Sequence, residues 1–220
     1  SAALNKHSKL WSGKKKIKNK TKLRIYKTLV KPILTYNCST WGLNKSEEDR
    51  LDAFHRKQLK RVLGIKYPTK ISNKKLYKKT NEIPISKISK KGRWRLLGHI
   101  LRRDQNIPAN QAMTHYFRIS DNKGFKGKPR TTLPTKLDDD LVNLNKKYEH
   151  LRDHNYFKVL RLLNMKDLEV LRDKAADRTE WQDLVEMMGD VTGDVEESDD
   201  SSTEAELDWL IVPIGENRLE

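Results

Sequence analysis

The apolar positions of this chain recur with the spacing of helices rather than of strands. A first helix is predicted from Lys20, because apolar side chains repeat there every three or four positions, at Leu23, Tyr26, Leu29 and Val30. Pro32 should end or kink this helix, since proline lacks the backbone N–H that a helix interior needs. The next segment, residues 33–43, is then either a continuing buried helix or a buried turn.

Local signals predict where the next helices begin and end. Ser46 is a candidate N-cap, with Asp49 completing a weak capping box, and Gly64 is a natural stop for the amphipathic helix between them. Asn73 is the predicted cap of a short helix that reaches Thr80. The helix between Ser46 and Gly64 has one apolar stripe and one basic face, which is typical of a surface helix packed on a core.

The rest of the chain also reads as helices separated by short breaks. Prolines at positions 84, 108 and 134 precede or begin three helices, the second of which ends near Tyr116. Residues 118–131 have the glycine, proline and Asp-Asn signals of a loop. A final helical block is predicted over residues 156–188 and is closed by Gly189. Because no segment alternates like a strand, the predicted fold class is all-α.

Composition divides the chain into five predicted parts. They are a basic flexible lead-in (1–19), a basic helical region (20–116), a basic Gly/Pro loop (117–133), a C-terminal helical block (134–189) and an acidic tail predicted to be disordered (190–220). The net charge is +16, with 28 Lys and Arg against 5 Asp and Glu in residues 1–100 but 1 against 11 in residues 189–220. A chain this basic is expected to bind nucleic acid first and an anionic membrane surface second.

The cysteine count and hydropathy exclude several classes of protein. A single cysteine, Cys38, allows neither an internal disulfide nor a cysteine-based zinc site. No apolar run reaches the roughly 20 residues of a membrane span, and no signal peptide is recognisable. We therefore expect no membrane partner and an intracellular location, nuclear and cytoplasmic. The basic run at residues 14–20 fits a nuclear localisation signal or a phosphate-binding arm.

The segment RWRLLGHILRR, residues 93–103, combines four arginines, a tryptophan and a histidine with an apolar core. A helix with this pattern is expected to pack with one face and hold an anion with the other, and arginine suits phosphate. Trp94 could stack on a base, but we favour a position in the core. His99 is interpreted as a partly buried histidine that donates a structural hydrogen bond.

No catalytic centre is evident in the sequence. Residues 138–140, three consecutive aspartates, are interpreted as a solvated helix start, because a two-metal site needs carboxylates from separate elements. His150 and His154 have the spacing of helical metal ligands but lack an evident third ligand. We expect no metal and no cofactor. The glycine-containing loop with Lys126, Lys128 and Arg130 suits a phosphodiester backbone.

Five segments resemble, in order, the C-terminal region of the polyprotein of non-LTR (LINE-type) retrotransposons, downstream of the reverse transcriptase palm. They are LVKPILTYNCSTWGL, RLDAFHRKQLKRVLGI, GRWRLLGHILRR, GKPRTTLP and AADRTEWQDLVEMM, and together they cover residues 20–188. His99 and Arg102 match a Gly-His-x-x-Arg motif, residues 127–130 match a Gly-Arg-Pro-Arg loop, and Trp181 follows a matching Asp-Arg pair. Lys128 replaces the usual arginine, and the acidic tail is not part of the resemblance.

This resemblance implies a thumb and post-thumb region that holds RNA template or RNA–DNA duplex. The parent protein would be an RNA-directed DNA polymerase whose palm and endonuclease sites lie outside this chain. Trp41 and its apolar neighbours would then pack against the upstream palm domain. The expected nucleic-acid-binding residues combine these segments with the basic helix faces: Lys14, Lys15, Lys16, Lys57, Lys60, Arg61, Lys90, Lys91, Arg93, Arg95, His99, Arg102, Arg103, Lys126, Lys128 and Arg130.

A second hypothesis comes from another class of function. The chain is then a stand-alone protein-interaction module derived from a retroelement. The apolar motif ELDWLIVPI, residues 206–214, docks a partner, and the acidic stretch before it regulates docking. Ser201, with Glu204 three residues on, fits an acidic-directed kinase site.

Overall fold

The computed structural model describes residues 5–6, 11, 17–118, 131–148 and 161–189, and all regular structure within them is helical. The helices are α1 (Asn19–Ile25), α2 (Lys31–Leu34), α3 (Lys45–Leu63), α4 (Asn73–Thr80), α5 (Ile85–Leu101), α6 (Pro108–Arg118), α7 (Leu133–Lys147), α8 (Met165–Ala176) and α9 (Arg178–Met188). The prediction of an all-helical fold is confirmed for these ranges. The predicted disorder of residues 190–220 concerns a segment outside them.

The first helix changes geometry before Pro32. A π-helical turn, Tyr26–Val30, connects α1 to α2, and Pro32 sits in the first turn of α2, where no intrahelical N–H is required. A 3₁₀ turn follows at Cys38–Thr40. The expectation of a buried segment over 33–43 is wrong in part, because Ile33 and Tyr36 are exposed and only the 3₁₀ turn places a side chain, that of Cys38, in the interior.

The caps of α3 differ from the predicted ones at the N-terminus only. Asn44, not Ser46, is the N-cap: the Glu47 N–H donates to Asn44 Oδ1 at 2.9 Å, and the Asn44 N–H donates to Glu47 Oε2 at 2.8 Å. This reciprocal pair satisfies two N–H groups that the helix leaves open. Gly64 ends the helix as predicted, in the left-handed region at φ 70°.

Two further boundaries correct the predictions. Ser72, not Asn73, caps α4, since its hydroxyl accepts from the Lys75 N–H. The predicted block over residues 156–188 contains two helices, α8 and α9, separated at Asp177, whose carboxylate accepts from the N–H groups of Thr179 and Glu180. An aspartate is a strong N-cap, so a new helix begins there. Residues 149–160 lie outside the described ranges.

Two apolar cores hold the helices together. The first joins α1 and the π-helical turn to α3 and α4 through a set of buried side chains: Trp11, Tyr26, Val30, Leu59, Val62 and Leu76. Trp11 thereby packs one part of the predicted flexible lead-in onto the fold. The second and larger core joins α5 to α6, α7, α8 and α9, with Trp94, Leu97, Trp181 and Leu184 among its members. Helix α5 therefore links the predicted regions 20–116 and 134–189 through a shared core.

None of the helices in the described ranges is both long enough and apolar enough to cross a membrane.

Candidate nucleic-acid interface

Arg93 lies in the interior rather than on a ligand-binding face. It is 1% exposed, and its Nε and Nη2 each donate to Asp140 Oδ2 at 3.1 Å. Its Nη1 donates to the backbone oxygen of Trp41 at 3.0 Å. All of these partners belong to the protein, so the expectation that Arg93 contacts nucleic acid is wrong. The guanidinium instead joins α5 to α7 and to the segment before α3.

The Asp140 carboxylate contacts the side chains of three residues of α5. Besides Arg93, Trp94 Nε1 donates to Asp140 Oδ2 at 3.1 Å, and Lys90 Nζ lies 3.3 Å from Oδ1. Asp138 is buried too, and it accepts from the Leu162 N–H at 2.8 Å. The interpretation of residues 138–140 as a solvated helix start is therefore wrong for two of the three aspartates. They compensate buried positive charge and backbone donors.

Two motifs of the retroelement resemblance meet in the second core. A Cβ on Gly98 would lie 2.7 Å from Cδ1 of the Trp181 ring and closer still to Nε1, so only glycine leaves room for the indole. Trp181 Nε1 donates to the backbone oxygen of Trp94 at 3.0 Å. Trp94 itself is fully buried, which confirms it as a core residue. Gly98 and Trp181 therefore have packing roles in this fold.

The outer face of α5 brings together three predicted residues, Arg95, His99 and Arg102, which follow at i, i+4 and i+7 and are all exposed. Arg102 Nη1 donates to the Ala175 carbonyl at the end of α8 at 3.0 Å. The interpretation of His99 as partly buried is wrong, because its side chain faces solvent. Arg103 follows the helix and is exposed.

An acidic residue of α9 neutralises part of this face. Glu186 pairs with Lys91 and, at 3.3 Å, with Arg95. The hydrogen bond from Lys91 and the nearby Arg95 charge hold the pKa of Glu186 below its usual range. Together with the Lys90–Asp140 pair, this contact engages most of the cations that were expected to bind phosphate from α5.

The predicted residues of α3 lie at its C-terminal end. Lys57 and Arg61 are exposed and Lys60 is half-buried, and Arg61 Nη1 donates to Asn5 Oδ1 at 2.8 Å. The remaining predicted residues lie outside the described ranges: Lys14, Lys15, Lys16, Lys126, Lys128 and Arg130.

A larger basic surface continues from the end of α3 and was missed by the sequence reasoning. Residues 57–81, which we call the basic hairpin, comprise the last turns of α3, a connecting loop and α4, and they contain nine Lys and Arg and no Asp or Glu. Six of these lysines were not among the predicted residues, and all six are exposed: Lys66, Lys70, Lys74, Lys75, Lys78 and Lys79. None of the six forms an ion pair with another described residue.

The basic hairpin also presents an aromatic ring. Tyr67, in the loop, is 92% exposed, between exposed Lys66 and Lys70. The apolar side of α4 is anchored by Leu76, which packs with Leu59 of α3 in the first core. The signal that could have found this surface is the acid-free run itself.

Beneath the basic hairpin lies a buried polar cluster. The His55 ring stacks on Tyr26 with centroids 6.0 Å apart and packs against Tyr77 at the same distance. Burial, together with the charges of Lys31 and Arg56, lowers the pKa of His55 to about 3. Burial raises the pKa of Tyr77 to about 12. The histidine is therefore neutral at physiological pH and lies away from solvent, where it cannot serve as an acid or base for a ligand.

No group of three or more metal-ligating side chains occurs within the part of the chain that the structure describes. The candidate pair His150 and His154 lies outside it.

Comparison of the chain with family models, with curated proteins and with solved structures finds no match.

Proposed function

We propose that this chain is a nucleic-acid-binding segment that grips RNA template or RNA–DNA duplex by its backbone, and that it is not catalytic by itself. The resemblance to the thumb and post-thumb region of non-LTR reverse transcriptases supports this function. The observation that carries the proposal is the basic hairpin, with seven exposed lysines, no acidic residue and an exposed tyrosine.

Charge density favours this surface over the arginine helix as the main contact. On α5, Arg93 is paired with Asp140, and Lys91 and Arg95 are both paired with Glu186. A phosphate would compete there with carboxylates that are already in place. On α4, the pairs Lys74/Lys78 and Lys75/Lys79 each follow at i, i+4 and lie one turn apart. Binding a phosphodiester there breaks no ion pair among described residues.

Phosphate contact of this kind predicts little sequence preference and a steep dependence on salt. Each Lys–phosphate contact releases condensed counterions, so log K falls with log[salt] by about 0.9 per contact on duplex DNA and about 0.7 on single strands. Tyr67 adds a stacking surface, which is worth most on unpaired bases.

The proposal is tested by fluorescence anisotropy with labelled single-stranded RNA, RNA–DNA hybrid and duplex DNA over a salt series. The test variant changes Lys74, Lys75, Lys78 and Lys79 to Ala. The matched control removes four exposed cations elsewhere, at Lys45, Lys146, Lys166 and Arg178.

We expect the hairpin variant to bind at least tenfold more weakly at 100 mM salt and to have a shallower salt slope. The control should change affinity by less than threefold, because it alters net charge equally without touching the hairpin. Equal losses in the two variants would mean that net charge, not this surface, drives binding. No binding by the wild type would overturn the function itself.

A further inference from the structure

An apolar stripe is left uncovered on the first helical segment. Leu29, Ile33 and Tyr36 follow at i, i+4 and i+7 and are 49%, 66% and 81% exposed. Three large apolar side chains exposed within eight residues, rather than scattered singly, mark an interaction site. Residues 17–43 contain six Lys and Arg and no Asp or Glu. Lys27 and Lys31 pair with Glu82 from outside this segment, and Lys18, Lys20 and Arg24 are exposed.

The acidic tail leaves the described fold close to this stripe. Gly189, the last described residue, lies against Lys91, whose Cε would be 2.7 Å from a Cβ on the glycine. The next residue of α5, Gly92, lies against Ser39, whose Cβ would be 3.3 Å from a Cβ on Gly92. Ser39 follows Tyr36 by three residues. Two residue contacts therefore connect the start of the tail with the end of the stripe.

The tail has the length and the charge to reach the stripe. Between Gly189 and the apolar motif at residues 206–214 lie seven Asp and Glu and no Lys or Arg. These sixteen residues, 190–205, span at most about 58 Å, about twice the roughly 28 Å length of the 19-residue helix α3. A short apolar segment that follows an acidic run is complementary to an apolar stripe in a segment with a net positive charge.

We propose that residues 206–214 of the chain's own tail bind the apolar stripe of Leu29, Ile33 and Tyr36. The aromatic and aliphatic side chains of Trp209, Leu210 and Ile211 cover the exposed rings and methyls. The carboxylates before them lie over the basic surface around the stripe. This contact needs no nucleic acid and stands apart from the function proposed above.

Cysteine cross-linking in the full chain tests the contact. In a Cys38→Ser background, which removes the single native thiol, Ile33→Cys is paired with Leu210→Cys. The control pairs Leu210→Cys with Val142→Cys, a similarly accessible aliphatic position on α7 that is 39% exposed. Disulfide formation under a mild oxidant is followed by non-reducing gels and intact mass. Circular dichroism checks that each variant is folded.

We expect the 33–210 disulfide to form within one chain at least tenfold faster than the 142–210 disulfide, at a rate independent of protein concentration. Adding Trp209→Ser and Ile211→Ser should return it to the control rate. Equal rates for the two pairs would overturn the proposal. A dimer whose yield rises with concentration would assign the stripe to a second copy instead. A fast rate that survives the serine substitutions would show that apolar contact is not what holds the tail.

Discussion

Arg93 and Asp140 form a buried ion pair between α5 and α7, with two nitrogens of the guanidinium 3.1 Å from the same carboxylate oxygen. The side chains are 0% and 5% exposed. Burying the two charges costs solvation energy, which is offset by their attraction and by the extra hydrogen bonds from Trp94 and to Trp41. The pair therefore adds little stability compared with two apolar side chains of similar size. Removing one partner alone, however, leaves the other charge buried and unpaired.

Removing either partner should destabilise the fold strongly. We expect Asp140→Ala to lower the free energy of unfolding by about 3–5 kcal/mol, because it leaves a buried guanidinium without its counter-charge. Arg93→Lys should recover little, since an ammonium cannot reproduce the fork that reaches both Asp140 and Trp41. Urea denaturation followed by circular dichroism measures both changes.

Arg95→Ala is the matched control on the same helix. Arg95 is 61% exposed and pairs with a half-exposed carboxylate, so its loss should cost at most about 1 kcal/mol. If Arg93→Ala and Arg95→Ala were equally mild, Arg93 would not be the buried residue described above.

Gly98→Ala should also be destabilising, by about 1–3 kcal/mol, although alanine favours helices. The added methyl group would overlap the Trp181 ring, and relieving the overlap would disturb the hydrogen bond from Trp181 to the Trp94 carbonyl. Thermal unfolding and the near-ultraviolet circular dichroism of the tryptophans would report the change.

Gly92→Ala provides the comparison, since a Cβ there lies 3.3 Å from the Ser39 side chain, a contact that a small shift relieves. The higher helix propensity of alanine offsets that shift, so we expect a net change under about 1 kcal/mol. A Gly98→Ala protein as stable as Gly92→Ala would contradict the close packing of Trp181.

His55 should make the fold sensitive to acid. Its folded pKa of about 3 lies below the unfolded value of 6.5, so the unfolded chain takes up the proton first as the pH falls. The stability that neutral His55 contributes is complete above pH 6.5. It is lost between pH 6.5 and 3, with a slope that approaches about 1.4 kcal/mol per pH unit.

His55→Phe isolates this contribution because phenylalanine keeps the ring beside Tyr26 but cannot titrate. The difference in unfolding free energy between wild type and variant should change with pH in that window and be flat above it. Burial raises the pKa of neighbouring Asp52, and that carboxyl is common to both proteins. Exposed His99→Phe should leave the pH profile as in the wild type. A difference curve that is flat down to pH 4 would contradict a buried neutral His55.

Tyr67→Ala should weaken binding to single-stranded RNA more than binding to duplex. Stacking on one base is worth about 1–3 kcal/mol, or roughly five- to 150-fold in affinity, and paired bases offer no free face. The exposed Tyr116 is the matched control, because it lies on α6, outside the basic hairpin. Equal effects of Tyr67→Ala on both ligands would mean that the ring contacts backbone and does not stack.

Much of the helical framework could be predicted from local signals. Gly64 and Gly189 end helices where the sequence indicates, because a stop signal acts within one turn. Asn44 was missed as a cap because Ser46 is equally good locally. The choice between them depends on Glu47, which closes the reciprocal hydrogen bonds with Asn44.

Local sequence patterns could not predict which residues pair across long distances in the chain. Asp140 lies 47 residues after Arg93, and no spacing rule connects them. One clue was present: Arg93 precedes Leu97 and Leu101 by four and eight residues, which places it on the buried stripe of α5. Arg95, His99 and Arg102 fall on the opposite side of the helix and are exposed. Helical phase, applied residue by residue, therefore separates the structural arginine from the exposed ones.

The contact between Arg93 and Asp140 also sets the order in which the protein can become stable during synthesis. Among the described residues, the carboxylate that pairs with Arg93 belongs to α7, which follows α5 in the chain. We therefore expect α5 to pack stably only after α7, which carries Asp140, has been synthesised. Fragments that end before residue 140 should therefore be poor folding units, and expression boundaries are best placed beyond α9.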